Sequence, residues 1–166
     1  MSAAANKAVY RRFIEEGFNQ GQLATLDEVL APTYVNHGAP PGAPPGAEGV
    51  KQIILLFRSA FPDLHIDIHE QVAAGDLVSS RLTFRGTHRG PLFGIPATAR
   101  QVVMSGLSMV RVTNGQIQEG WIQNDVVGLL HQLGTTTLPT PPSASAQSPS
   151  PVRVPSGSTD ERRPKP

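Results

Sequence analysis

Two groups of residues in this chain have the types and spacing for chemistry. The first is Trp121, Gln123 and Asp125, which fall at two-residue steps in GWIQND and so share one face of an extended strand. Asn114-Gly115, between two β-like runs, suits a two-residue type I′ turn. With that turn as the loop, Thr113 pairs with Gln116, and counting back sets Ser108 opposite Trp121, Gly106 opposite Gln123 and Met104 opposite Asp125. Gly106 and Ser108 then leave a gap in front of a ring, an amide and a single acid, which is the make-up of a pocket wall more than of a packed core. The second group is His65, Asp67 and His69 in HIDIH. Strand histidines so spaced can hold zinc, but alternation sets them opposite Leu64, Ile66 and Ile68, so the reading is a solvated strand face and no metal. PPGAPPGA at 40–47 lacks the Lys and Ser/Thr of a phosphate loop, and there is no serine nucleophile elbow.

Around these groups the pattern changes from helical to extended. Val9, Phe13, Ile14 and Phe18 predict a helix over Asn6–Asn19, and Leu23, Leu26, Val29 and Leu30 a second, stopped by Ala31-Pro32. Tyr34–His37 reads as a short extended piece before the Pro/Gly loop. Val50, Ile53, Ile54, Phe57 and Phe61 give Glu48–Phe61 the strongest helical spacing in the chain. A strand then runs from Leu64, and another over Leu77–His88 in which Val78, Leu82, Phe84 and His88 share a face. Arg89–Thr98 is a loop, the hairpin follows, and Val126–Leu133 is a short helix stopped by Gly134. Helices first and strands after predict an α+β fold, an antiparallel sheet curled around helices on one side.

Composition narrows the classes of function. The 166 residues include no cysteine, which excludes disulfides and thiolate chemistry. No apolar run is long enough to span a membrane and no secretory segment is apparent, so a cytoplasmic setting is the default expectation. Residues 135–166 carry 8 of the 16 prolines, no aromatic residue and a net charge of +2, and are expected to be a disordered tail following a domain at 1–134. The remaining body is nearly neutral, which does not suit nucleic acid.

Several stretches together resemble the SnoaL-like polyketide cyclases: NKAVYRRFIEEGFNQGQLATLDEVLAPTYVNH, the PPG loop and its helix, FPDL, RGTHRGPLFGIPATAR, VRVTNGQI, and a Trp four residues before Asp125. The resemblance implies the cone-shaped fold of ketosteroid isomerase and nuclear transport factor 2, in which helices close one end of a curved sheet around a pocket. It also implies intramolecular aldol closure of a polyketide methyl ester without metal or organic cofactor, with Asp125 as the matching general acid/base. A carboxyl in an apolar pocket is suited to that work. Donors for the enolate oxygen would come from His88, His37, Asn36, Gln123 or the Trp121 ring N–H, with Met104, Gly106, Ser108 and Phe84 completing the binding surface.

Each assignment has a structural competitor. Asp125 could cap the last helix. Asn36 and His37 could satisfy local backbone. His88 could be a hydrogen-bonded core histidine and Trp121 plain core. The chain also departs from the family pattern: Gly120 stands where many relatives have His before the Trp, and Ala97 and Ala99 replace the usual Pro and Gly of the Gly-Ile-Pro-Pro-Thr-Gly loop. By parity Gly120 is expected to face away from the pocket. Leu107, Met109 and Ile122 would form an outer apolar patch, predicting a homodimer through the sheet face. A non-catalytic binding module, or an isomerase, dehydratase or hydrolase on the same scaffold, stays open beside the cyclase.

Overall fold

The computed structural model describes residues 2–40 and 42–135. Apart from Thr135, the tail predicted at 135–166 lies outside the described residues. Ser2 accepts the Ala5 N–H and starts α1 (Ala3–Arg12). The chain then winds as a π-helix over Phe13–Asn19, where the spacing predicted a continuous α-helix. The wider turn, with its i→i+5 bonds, brings residues five apart onto one side, and the Phe13 and Phe18 rings meet edge to face at 5.4 Å. Helix α2 (Ala24–Val29) is shorter than its apolar spacing predicts, because the backbone turns extended at Leu30. Strand β1 therefore runs over Leu30–Asn36, before the loop that leads to α3 (Gly46–Ala60).

The remaining elements are β2 (His65–Ala74), β3 (Leu77–Thr87), β4 (Gln101–Thr113), β5 (Gln116–Asn124) and α4 (Val126–Leu133). They form a curved, unclosed five-stranded sheet in the order β1-β5-β4-β3-β2, with β1 parallel to β5 and every other pair antiparallel. The α+β class is as expected. Among the described residues no helix is long and apolar enough to cross a membrane.

Helix α1, the π-helix and α3 cover one face of the sheet. Their core joins Tyr10, Phe13, Leu26 and Ile54 to Val78, Val110 and Ile117. A second cluster, around Phe61, Phe84, Val102 and Leu129, holds α4 against the far end. Side-chain amides finish the strand edges: Asn19 exchanges two hydrogen bonds with the Ile66 backbone, and Gln132 does the same with Val103 beyond the end of β5. Both supply partners to peptide groups that would otherwise be left at an edge.

The hairpin register carries the main correction. Thr113 pairs with Gln116 as predicted, and Val112 with Ile117, but Arg111 then pairs with Glu119. Gln118 is an extra residue, a β-bulge, and beyond it every side chain of β5 is on the opposite face from the predicted one. Ser108 lies opposite Ile122, Gly106 opposite Asn124 and Met109 opposite Trp121. The Asp125 N–H bonds to the Ser105 carbonyl, so Asp125 is not opposite Met104.

Candidate active site

The helices and the inner sheet face enclose a cavity of about 490 Å³. Phe13, Ile14 and Phe18 of the π-helix, Ile53 and Phe57 of α3, and Leu82 and Phe84 of β3 make its walls. Leu56, Phe93 and Val126, each 40–46 % exposed, line it at the rim. Large apolar side chains left open around a cavity are the usual sign of a ligand entrance.

Its polar groups are few. Tyr10 lines the cavity, and its hydroxyl shares a 2.7 Å hydrogen bond with the buried Ser108 hydroxyl. Burial pushes the Tyr10 pKa up, so the phenol stays neutral at working pH. Asn36, Gln123 and Asn124 add amides. The Asn36 Oδ1 accepts the Gly38 N–H at 3.0 Å, which leaves its NH2 group with no protein partner among the described residues. Asn124 makes no side-chain hydrogen bond among them and lies over Gly106, where a Cβ would collide with its Oδ1. Among the described lining residues there is no carboxylate, imidazole, ammonium or guanidinium.

Of the residues singled out in the sequence, Met104, Gly106, Phe84, Asn36 and Gln123 come together at this cavity. Ser108 stands behind Tyr10. Trp121 does not reach it: the bulge turns the ring to the outer face, where it stacks on His37 at 4.6 Å and 5° between planes. His37 in turn places Nε2 3.1 Å from Glu119. Both lie outside the cavity because they are on the wrong side of the bulged strand and of β1. His88 is fully buried against Phe61 instead of facing ligand. Its Nδ1 accepts from the Thr98 N–H, Nε2 is buried with no partner among the described residues, and burial lowers its pKa. The histidine is part of the core that positions the 89–99 loop.

Asp125 is exposed and caps α4, its Oδ1 accepting the Gly128 N–H at 2.8 Å. It stands in the chain between Asn124 and Val126, both of which line the cavity. The expected apolar setting for this carboxyl is therefore not found, since the register change moves it off the wall.

Gly120 is likewise on the other face from that predicted: it is buried opposite Val110. A Cβ there would lie 2.7 Å from the Tyr34 hydroxyl, which fills the space. Burial pushes the Tyr34 pKa up to about 12. The position at which many relatives carry His is thus an interior one. Asn124 and Tyr10 were missed from sequence: Asn124 because one extra residue reverses its face, Tyr10 because it reads only as part of a core helix.

On the outer face, Arg85 makes a surface ion pair with Asp67 at 2.7 Å, the His65 ring lies 3.5 Å from the same carboxylate, and His69 bonds to Thr83. No group of three or more metal-binding side chains occurs among the described residues. Leu107 and Met109 are exposed there as expected, but Ile122 is not with them, since it lines the cavity.

The family model for SnoaL-like polyketide cyclases matches residues 8–133. The nogalonic acid methyl ester cyclase of Streptomyces nogalater is 30% identical over 122 residues, covering 70% of this chain and 89% of that protein. The aklanonic acid methyl ester cyclase DnrD of Streptomyces peucetius is 30% identical over 134 residues, covering 79% and 91%. Among solved structures, TsrD of Streptomyces laurentii superposes with a TM-score of 0.74 at 29% identity, covering 81% of this chain and 98% of that one.

Proposed function

The chain belongs to the SnoaL-like polyketide cyclase family, and from that membership we propose that its cavity folds a carbonyl-rich polyketide ester for intramolecular aldol-type ring closure. The observation that carries this is the cavity itself: apolar walls with amides grouped where Asn36, Gln123 and Asn124 meet the rim. Apolar walls hold a flexible carbon chain in a compact form, which places its reacting carbons together. The amide N–H groups of Asn36 and Asn124 have no partner among the described residues and can donate to an oxygen that gains charge.

In the reaction a base takes a proton from the carbon next to one carbonyl. The resulting enolate carbon forms a bond to a second carbonyl carbon, and the alkoxide is then protonated. Electrons and protons balance within the substrate and one acid/base group, so the step calls for no cofactor. The described lining residues supply no base, because Tyr10 is held neutral. Asp125 is the carboxylate set between two lining residues, and its Oδ2 makes no hydrogen bond among the described residues. We assign it the proton transfer at the rim.

The test is product formation from a panel of polyketide methyl esters, followed by mass spectrometry and chromatography, with wild type and Asp125→Asn. Asparagine caps a helix as well as aspartate does, so loss of the cyclised product with unchanged folding and ligand binding supports the assignment. Equal turnover by the variant removes Asp125 from the mechanism.

The absence of carboxylate, imidazole, ammonium and guanidinium groups from the described lining favours a second reading, a ligand-binding module. It predicts that both proteins bind the esters and neither converts them.

The outer sheet face, with Leu107 58 % and Val103 55 % exposed beside Met109 and Trp121, is proposed as a homodimer contact of a cytoplasmic protein. A dimer by light scattering at micromolar concentration, lost in Leu107→Glu, is the expected result. A monomeric wild type overturns it.

A further inference from the structure

Phe93 is held in a conformation that its own residue type disfavours. It occupies the first corner of the tight turn Leu92–Ile95, with φ of 50°, and Gly94 follows at 81°. Reciprocal backbone hydrogen bonds between Leu92 and Ile95, at 3.0 and 2.8 Å, close the turn, and the fully buried Leu92 anchors it. Glycine takes a positive φ freely, whereas a bulky aromatic residue there is an outlier that the surroundings must enforce. The result is a ring 46 % exposed at the cavity rim, fixed by the backbone and not by its own burial. Behind it stands a row of rings: Phe93 meets Phe57 edge-on at 6.3 Å, and Phe57 meets Phe84 edge-on at 5.7 Å. All three line the cavity.

We propose that Phe93 is a specificity-determining residue, whose ring, backed by Phe57 and Phe84, selects ligands carrying a planar aromatic ring system over saturated ones of the same skeleton. The proposal rests on the reading of this cavity as the substrate site and adds to it which substrates are preferred. Ring faces and edges attract one another beyond the area they bury, and a ring already held in place loses little freedom when a ligand arrives.

The test compares the binding of anthrone with that of its fully saturated analogue, perhydroanthracen-9-one, by calorimetry, using wild type, Phe93→Leu and Phe93→Gly. Both probes keep the carbon skeleton and the ketone, so the change in their affinity ratio between wild type and each variant reads what the ring at position 93 contributes. Wild type is expected to prefer anthrone. Phe93→Leu, which keeps apolar bulk, should reduce that preference by about three- to tenfold. Phe93→Gly should reduce it as much while melting at the same temperature as wild type or higher, because glycine relieves the positive φ; this separates ligand recognition from folding. An unchanged ratio in both variants overturns the proposal, as does a wild type with no preference or no binding. Binding is measured without turnover, so a shifted ratio in a protein that cyclises nothing sinks the cyclase reading and leaves this one standing. Cyclisation with an unshifted ratio does the reverse.

Discussion

Asn124 lies folded across Gly106 on the neighbouring strand, its Oδ1 occupying the place where a Cβ on that glycine would stand. The glycine gives room for the amide, and the amide adds a hydrogen-bonding group beside Gln123 and Asn36 in a cavity whose walls are mostly apolar. Gly106→Ala should swing the Asn124 side chain away at little cost in stability, since its far end is free to move. Ketone binding, followed with anthrone, should weaken about two- to tenfold, the worth of one hydrogen bond. Asn124→Ala should give the same loss, and the double variant should be no worse than either single one. Additive losses would show that the two residues act separately.

Asp125 has a structural duty that can be measured apart from any chemistry. Its Oδ1 satisfies the Gly128 N–H at the start of α4. Asp125→Ala should therefore cost ~1 kcal/mol of stability and Asp125→Asn close to nothing. Urea denaturation of the three proteins reads this directly. If the two variants are equally destabilised, the cap is not what holds that helix end.

Ala99 has φ of 58°, a value suited to glycine, and it stands where the family loop has glycine. Its backbone N–H is fixed to the His88 carbonyl at 2.9 Å, so the conformation cannot relax without breaking that contact. Ala99→Gly should stabilise the protein by roughly 1 kcal/mol through relief of the left-handed strain, which for a domain of this size raises Tm by about 2–6 °C. A fall in Tm would mean that the added freedom of the unfolded chain outweighs the strain.

The sequence made the larger elements legible because their periods are long and their stops are chemical. Gly134 ends α4 in a left-handed conformation, φ 90°, where predicted, and Asn114-Gly115 forms the hairpin turn at positive φ. What could not be read was the count of residues between paired positions. Nothing in QIQEGW marks Gln118 as unpaired, yet that single insertion exchanges Trp121, Gln123 and Asp125 for Gly120, Ile122 and Asn124 on the inner face. Gln123 still touches the cavity only because it sits at the open rim. The π-helix left one cue, Phe13 and Phe18 five residues apart, which an α-helical count sets on different sides.

His88 should make stability depend on pH in a defined direction. Burial holds its folded pKa below the ordinary 6.5, while the unfolded chain keeps that ordinary value. As pH falls below about 6.5, the unfolded chain takes up a proton that the buried ring refuses, so the unfolded state is favoured and stability declines. Above that pH both states carry a neutral ring, and the contribution is fully present. Asp63, held low by its hydrogen bonds from Thr87, and Glu16, held low chiefly by Arg12, act in a separate and more acid range. Their stabilisation is present above their unfolded values and is lost as pH falls through their folded ones. Melting curves between pH 5 and 8 should therefore slope downward on the acid side for wild type and be flatter there for His88→Asn, whose Oδ1 takes the place of Nδ1 and can still accept from the Thr98 N–H. The same slope in both proteins would place the titration elsewhere, and a histidine resonance of His88 moving at or above pH 6.5 would show that its ring is not held neutral by the core.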